Sequence, residues 1–142
     1  MRPDLTNRCN AIEECYEFML AYAAQGLPAD VGVQSGGQLR EFLRRASEAL
    51  SGLAEAYAAV VREERLEPAD RYQAFLNVLA RDAGDALAAI ELVRAQLALS
   101  SQLIDNLNAS IHLRALLTDL FLIDEILKGH SSAAHPASTQ NV

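Results

Sequence analysis

Few side chains in this sequence are of the kinds that do chemistry, and their spacing limits what they can do. There are three histidines, His112, His130 and His135, and two cysteines, Cys9 and Cys15. A carboxylate-bridged metal pair inside a helical protein needs Glu-x-x-His on two helices and further carboxylates beside them. The residue three before His112 is Ala109, and neither of the other histidines has a glutamate there. No Cys-x-x-Cys, no His-Glu-x-x-His and no glycine-rich phosphate loop occurs. No metal and no cofactor is therefore expected. Cys9 and Cys15 lie six apart, about 120° from each other on a helix, which is a poor placement for a mutual bridge. They read as free thiols of a reducing compartment.

The remaining candidates are polar groups set among apolar ones. His112 and Asp119 are seven apart and fall on one side of a helix, either as an acid–base pair or polar patch lining a pocket or, the favoured reading, as a surface or interface histidine with an ordinary hydrogen bond beside an aspartate. Asp124 projects among Leu113, Leu117 and Leu120. Burying an ionised carboxylate without a partner costs several kcal/mol, so Asp124 is expected to pair, to gain a proton or to reach solvent; an arginine from another helix is the favoured partner. Cys9, Tyr16, Met19 and Tyr22 recur at helical spacing with polar tips and soft sulfurs. That stripe is either plain core or the wall of a small-molecule cavity, with Tyr16, Met19, Tyr22 and His112 as lining and Asp119 or Asp124 to orient a ligand. Arg40, Arg44 and Arg45 form the densest basic cluster, with Glu41 and Glu48 inside it. It reads as a solvated face or as a docking patch for an acidic partner.

All of these groups must be positioned by helices. The stretch from Leu113 to Leu127 is apolar over most of a helical circumference: Leu113, Leu116, Leu117, Leu120, Ile123 and Leu127 share one face, and Ala115, Leu122 and Ile126 make a second. A first helix is expected over about 5–25, ended by Gly26. A second should run over about 36–65, opened by Ser35-Gly36-Gly37-Gln38 with capping-box spacing and carrying Gly52 in its interior at a cost of about 1 kcal/mol. Leu66-Glu67-Pro68 is the clearest break. A third helix follows from about 69. Its end falls either at Ser100-Ser101, which can cap a fourth helix over 101–128, or between Asn106 and Ser110, with Asp82-Ala83-Gly84-Asp85 a weaker third option. Lys128-Gly129 suits the end of the last helix, and 130–142 have no period and almost no large apolar residue, as in a disordered tail.

The totals agree with one folded domain over 1–129. A chain of 142 residues buries roughly 68–70% of its unfolded surface, and 51% hydrophobic with 22% charged residues is a globular composition. The net charge of −7 argues against nucleic acid, which needs a basic stripe. No run of about 18 uncharged apolar residues occurs, so no membrane span is expected. With no charged-then-apolar leader at residue 1, the expectation is a cytoplasmic protein.

The expected fold is all-α, an antiparallel bundle of four helices, or of five, dimerising through the C-terminal helix with an interface drawn from Ile104 to Leu127. The expected function is that of a non-enzymatic interaction or regulatory protein acting as a homodimer. A small-molecule-binding bundle is the alternative, and an acid–base or metal-dependent enzyme using His112 and Asp119 is the second alternative.

Overall fold

The computed structural model describes residues 2–139, with the side chains of 3–130. It is all-helical: α1 Arg2–Ala24, α2 Gln34–Leu50, α3 Leu53–Glu63, α4 Ala69–Arg94, α5 Ser101–Ala109 and α6 Ile111–Thr139. No strand occurs among the described residues. One core joins all six. Tyr22, Leu39, Leu43, Tyr57, Leu79, Leu99, Ile104, Leu116 and Leu120 are completely buried in it. The apolar face expected on α6, Leu113 to Leu127, is buried at every one of its six positions. At about 1.5–3 kcal/mol per large side chain, that face is a principal source of stability.

The helix count departs from expectation at two places. The first is Ser51-Gly52, where the single long helix expected over 36–65 breaks. Gly52 has φ of +82°, a left-handed conformation that glycine adopts without steric cost. The carbonyls left open at the end of α2 find a donor from another helix: Nη1 of Arg8 on α1 lies 3.0 Å from the Ala49 oxygen and 2.7 Å from the Ser51 oxygen. The second departure lies beyond Arg94, where both candidate breaks are used. Ser100 Oγ accepts the Leu103 N–H at 3.0 Å and opens α5. Ser110 then leaves helical geometry, and its Oγ accepts the Leu113 N–H at 3.3 Å to open α6. Leu97 therefore falls in the α4–α5 loop and is 94% exposed.

Two helix ends also differ. The capping box at Ser35 is not formed: α2 begins at Gln34, and the Ser35 hydroxyl donates to Gln25 Oε1 instead. Gly129 does not end α6, which continues to Thr139. A glycine costs a helix about 1 kcal/mol, which a long helix absorbs. His130, assigned from sequence to the tail, lies on α6 with Nε2 2.8 Å from the Tyr72 hydroxyl of α4. Residues 140–142 of that expected tail lie outside the described residues.

Candidate functional site

The polar groups of the interior fall into separate clusters, each with its own work. At one end, Asp30 in the α1–α2 loop is buried. Its Oδ2 accepts Nε of Arg40 at 2.6 Å and its Oδ1 accepts the Leu99 N–H at 2.6 Å. Burial alone would raise its pKa; the Arg40 and backbone hydrogen bonds outweigh that and hold it below the ordinary carboxylate range. The other Arg40 nitrogens reach the carbonyls of Arg94, Gln96 and Leu97 at 3.1–3.4 Å. Arg40 thus closes the end of α4 and ties α2 to two loops. It is engaged inside its own chain. Arg44 pairs with Glu41 and Glu48 along α2, and Arg45 lies over the Phe42 ring at 4.6 Å from its centre.

Tyr22 and Met19 belong to the core rather than to a cavity wall. Tyr22 is completely buried and its hydroxyl donates to the Leu99 oxygen at 2.6 Å. Its own carbonyl accepts from Ser101 Oγ at 2.6 Å, and that oxygen accepts the Leu27 N–H at 2.8 Å. Met19 is 1% exposed, Tyr16 is half-buried, and His112 is exposed at the start of α6. The four expected pocket residues therefore do not surround one opening to solvent. The reason is that the polar tip of Tyr22 is needed to satisfy backbone groups where α1 meets α5.

A cleft does exist beside Cys9, but between other residues. It has a volume of about 370 Å³ and is lined by Leu5, Thr6, Cys9, Asn10 and Glu13 of α1 and Asp124, Leu127 and Lys128 of α6. Behind its wall the Tyr57 hydroxyl of α3 donates to Asp124 Oδ1 at 2.5 Å and lies 3.2 Å from Cys9 Sγ. A phenol of α3 is thus one donor to Asp124. Burial, and after it the charge of Asp124, pushes the Glu13 carboxyl up. Burial pushes the Cys9 thiol up to about 11 and the Cys15 thiol to about 12. A thiol so protonated at neutral pH is a poor nucleophile.

His112 is exposed, as the surface reading of it has it, and Asp119 is buried with its Oδ2 free of any hydrogen-bond partner. Burial, and after it the neighbouring Asp82 of α4, raise Asp119 to about 7. Sequence reading passed over Asp30, Tyr57 and Arg8 as functional positions. Only Asp30 carried a signal, as the one charged residue in a Gly/Pro loop.

The outer side of α6 exposes several large apolar side chains. Phe121 is 62% exposed, Leu122 51% and Ile126 40%. Leu122 and Ile126, with Pro68, Arg71, Tyr72 and Phe75 of the α4 start, line a groove of about 290 Å³. Arg71 lines this groove, and Glu125 is exposed beside Leu122 on the same helix.

The fold and these clusters define an all-helical bundle with a single joined core. Among its described residues no helix is long and apolar enough to cross a membrane, and no group of three or more metal-binding side chains occurs. No known protein family, curated protein or solved structure matches the chain.

Proposed function

We propose that this chain is a non-enzymatic interaction protein, built as four antiparallel arms (α1, α2–α3, α4 and α5–α6), that pairs with a second copy of itself through the outer face of α6. The observation that carries this reading is the exposed strip of Phe121, Leu122 and Ile126 beside the Phe75 groove. Isolated exposed leucines are ordinary, but a continuous apolar strip beside a groove favours burial against protein. A second copy suits it because the patch is self-complementary: it offers an apolar ridge and an apolar groove, with a cation and an anion at its margin. A two-fold axis brings each feature opposite its counterpart. The expected interface narrows accordingly, from the whole of Ile104–Leu127 to its outward residues, since Ile104, Leu113, Leu116 and Leu120 are used by the chain's own core. The cytoplasmic, regulatory role belongs to this same reading.

Sedimentation equilibrium tests it. The wild type is expected to behave as a dimer, and Leu122→Glu combined with Ile126→Glu as a monomer of unchanged helicity. A wild type that stays monomeric at high concentration overturns the proposal.

The cleft beside Cys9 favours the small-molecule reading second. Its walls come from two helices, and the hydroxyl of Tyr57 holds Asp124 from behind. A thermal shift with a metabolite panel that is abolished by Asp124→Asn supports that reading.

A further inference from the structure

Where α1 packs on α2, a groove of about 440 Å³ opens that neither reading above uses. It is lined by Glu14, Glu17, Phe18 and Ala21 of α1 and by Phe42 and Arg45 of α2. The two phenyl rings stack, with centroids 4.7 Å apart and planes inclined at 27°. Both are half-buried against the core, while Glu14 and Glu17 are exposed.

One guanidinium already lies in this groove. Arg45 sits over the Phe42 ring at 4.6 Å from its centre. Its Nη1 is 3.9 Å from Glu14 Oε1 and its Nε is 3.7 Å from Glu41 Oε2. Both separations exceed hydrogen-bond length, and Nε is buried without a hydrogen-bond partner. Glu41 is itself taken by Arg44, through nitrogens at 3.1 and 2.5 Å. Arg45 thus rests on the ring, whose quadrupole attracts a cation, and engages the carboxylates only loosely.

The charges select what else can enter. Two lining carboxylates against one guanidinium leave the groove one net negative charge, on a molecule of −7. An apolar or acidic segment would strip water from Glu14 and Glu17 and give nothing in return. A cation repays that loss. Among cations a guanidinium suits the lining best, because its plane stacks on a phenyl ring while its edge donates to carboxylates beside it.

We propose that the α1–α2 groove is a docking site for arginine side chains of a basic segment in a partner protein, stacked on the Phe18–Phe42 pair and ion-paired with Glu14 and Glu17. The site repeats, for an incoming arginine, the contact that Arg45 makes within the chain. It is independent of pairing through α6.

The test is fluorescence anisotropy of the full chain at low salt with a fluorescein-labelled peptide of alternating arginine and serine. The wild type is expected to bind it, and to bind the lysine–serine counterpart several-fold more weakly. Phe18→Leu keeps the net charge and an apolar side chain but removes the ring, and is expected to weaken arginine-peptide binding by roughly three- to tenfold. Glu17→Gln is expected to weaken it more than Asp85→Asn, which removes the same charge from an exposed position on α4. No binding by the wild type, or equal affinity for the lysine peptide, overturns the proposal. So does a Phe18→Leu variant that binds like the wild type, or equal losses from Glu17→Gln and Asp85→Asn, which mean a diffuse attraction. Should Phe18→Leu fail to fold, ring-proton shifts of Phe18 and Phe42 in the wild type decide. Movement of both on addition of the arginine peptide supports the site, and unmoved rings overturn it.

Discussion

The Tyr57 hydroxyl and Asp124 Oδ1 are 2.5 Å apart, and this contact orders a three-helix relay. The hydroxyl has one proton, and it is donated to Asp124. Cys9 Sγ, 3.2 Å from the same oxygen, must therefore be the donor to it. The relay runs from thiol to phenol to carboxylate, from α1 through α3 to α6. It requires Cys9 to stay protonated, as its burial ensures.

Removing the middle of that relay removes a donor from one group and an acceptor from the other. Tyr57→Phe keeps the ring and is expected to destabilise the fold by about 1–3 kcal/mol. Urea denaturation measures this, and an unchanged midpoint would show the relay to be energetically idle.

Burial makes the thiols slow. With Cys9 raised to about 11 and Cys15 to about 12, the thiolate fraction at pH 8 is about a hundredfold or more below that of a free cysteine. Native-state labelling with a thiol reagent at pH 8 should show at least that retardation, and unfolding should abolish it. Fast labelling of Cys9 in the native chain would contradict the relay.

Arg40 and Asp30 give the fold a pH signature of its own. Arg40→Ala leaves a buried carboxylate without its cation and is expected to cost about 2–4 kcal/mol. Because Asp30 is held below its ordinary pKa in the folded state, its contribution is present above the unfolded carboxyl pKa. It is lost as pH falls through the folded value. Asp30→Asn should therefore be destabilised at neutral pH yet lose less of its remaining stability on acidification than the wild type. Denaturation at pH 7 and pH 3 compares them.

Adjacent glycines at the start of α2 should behave oppositely. A Cβ on Gly36 would lie 2.1 Å from the Asp30 carbonyl oxygen, a backbone atom fixed by the Arg40 lock, whereas a Cβ on Gly37 meets nothing within 4 Å. Gly36→Ala is expected to cost about 1–3 kcal/mol or more. Gly37→Ala should be neutral or stabilise by up to about 1 kcal/mol through helix propensity. Thermal melts of the two variants decide it, and equal midpoints would mean that the loop is not seated on α2.

The buried faces were legible because a helix repeats its chemistry every 3.6 residues. The face from Leu113 to Leu127 on α6 turns inward at the positions its spacing predicts. The punctuation was legible wherever one residue type has a single strong reason to be there, as at Gly26 and Pro68. It failed at Ser51-Gly52. Glycine interrupts a helix there without interrupting the apolar period, because the turn happens to preserve phase and Arg8 supplies donors from a distance in sequence of more than 40 residues.

What the amino-acid order determined by itself was an all-helical chain, its inward faces and most of its breaks, since these depend on local geometry and on the need to hide hydrocarbon. What only the tertiary structure decided was the pairing of polar groups. Asp124 found Tyr57, and Asp30 found Arg40 and Leu99. A hydrogen bond is directional and a few ångströms long, so its partner is set by how helices cross, and periodicity along one helix carries no information about that.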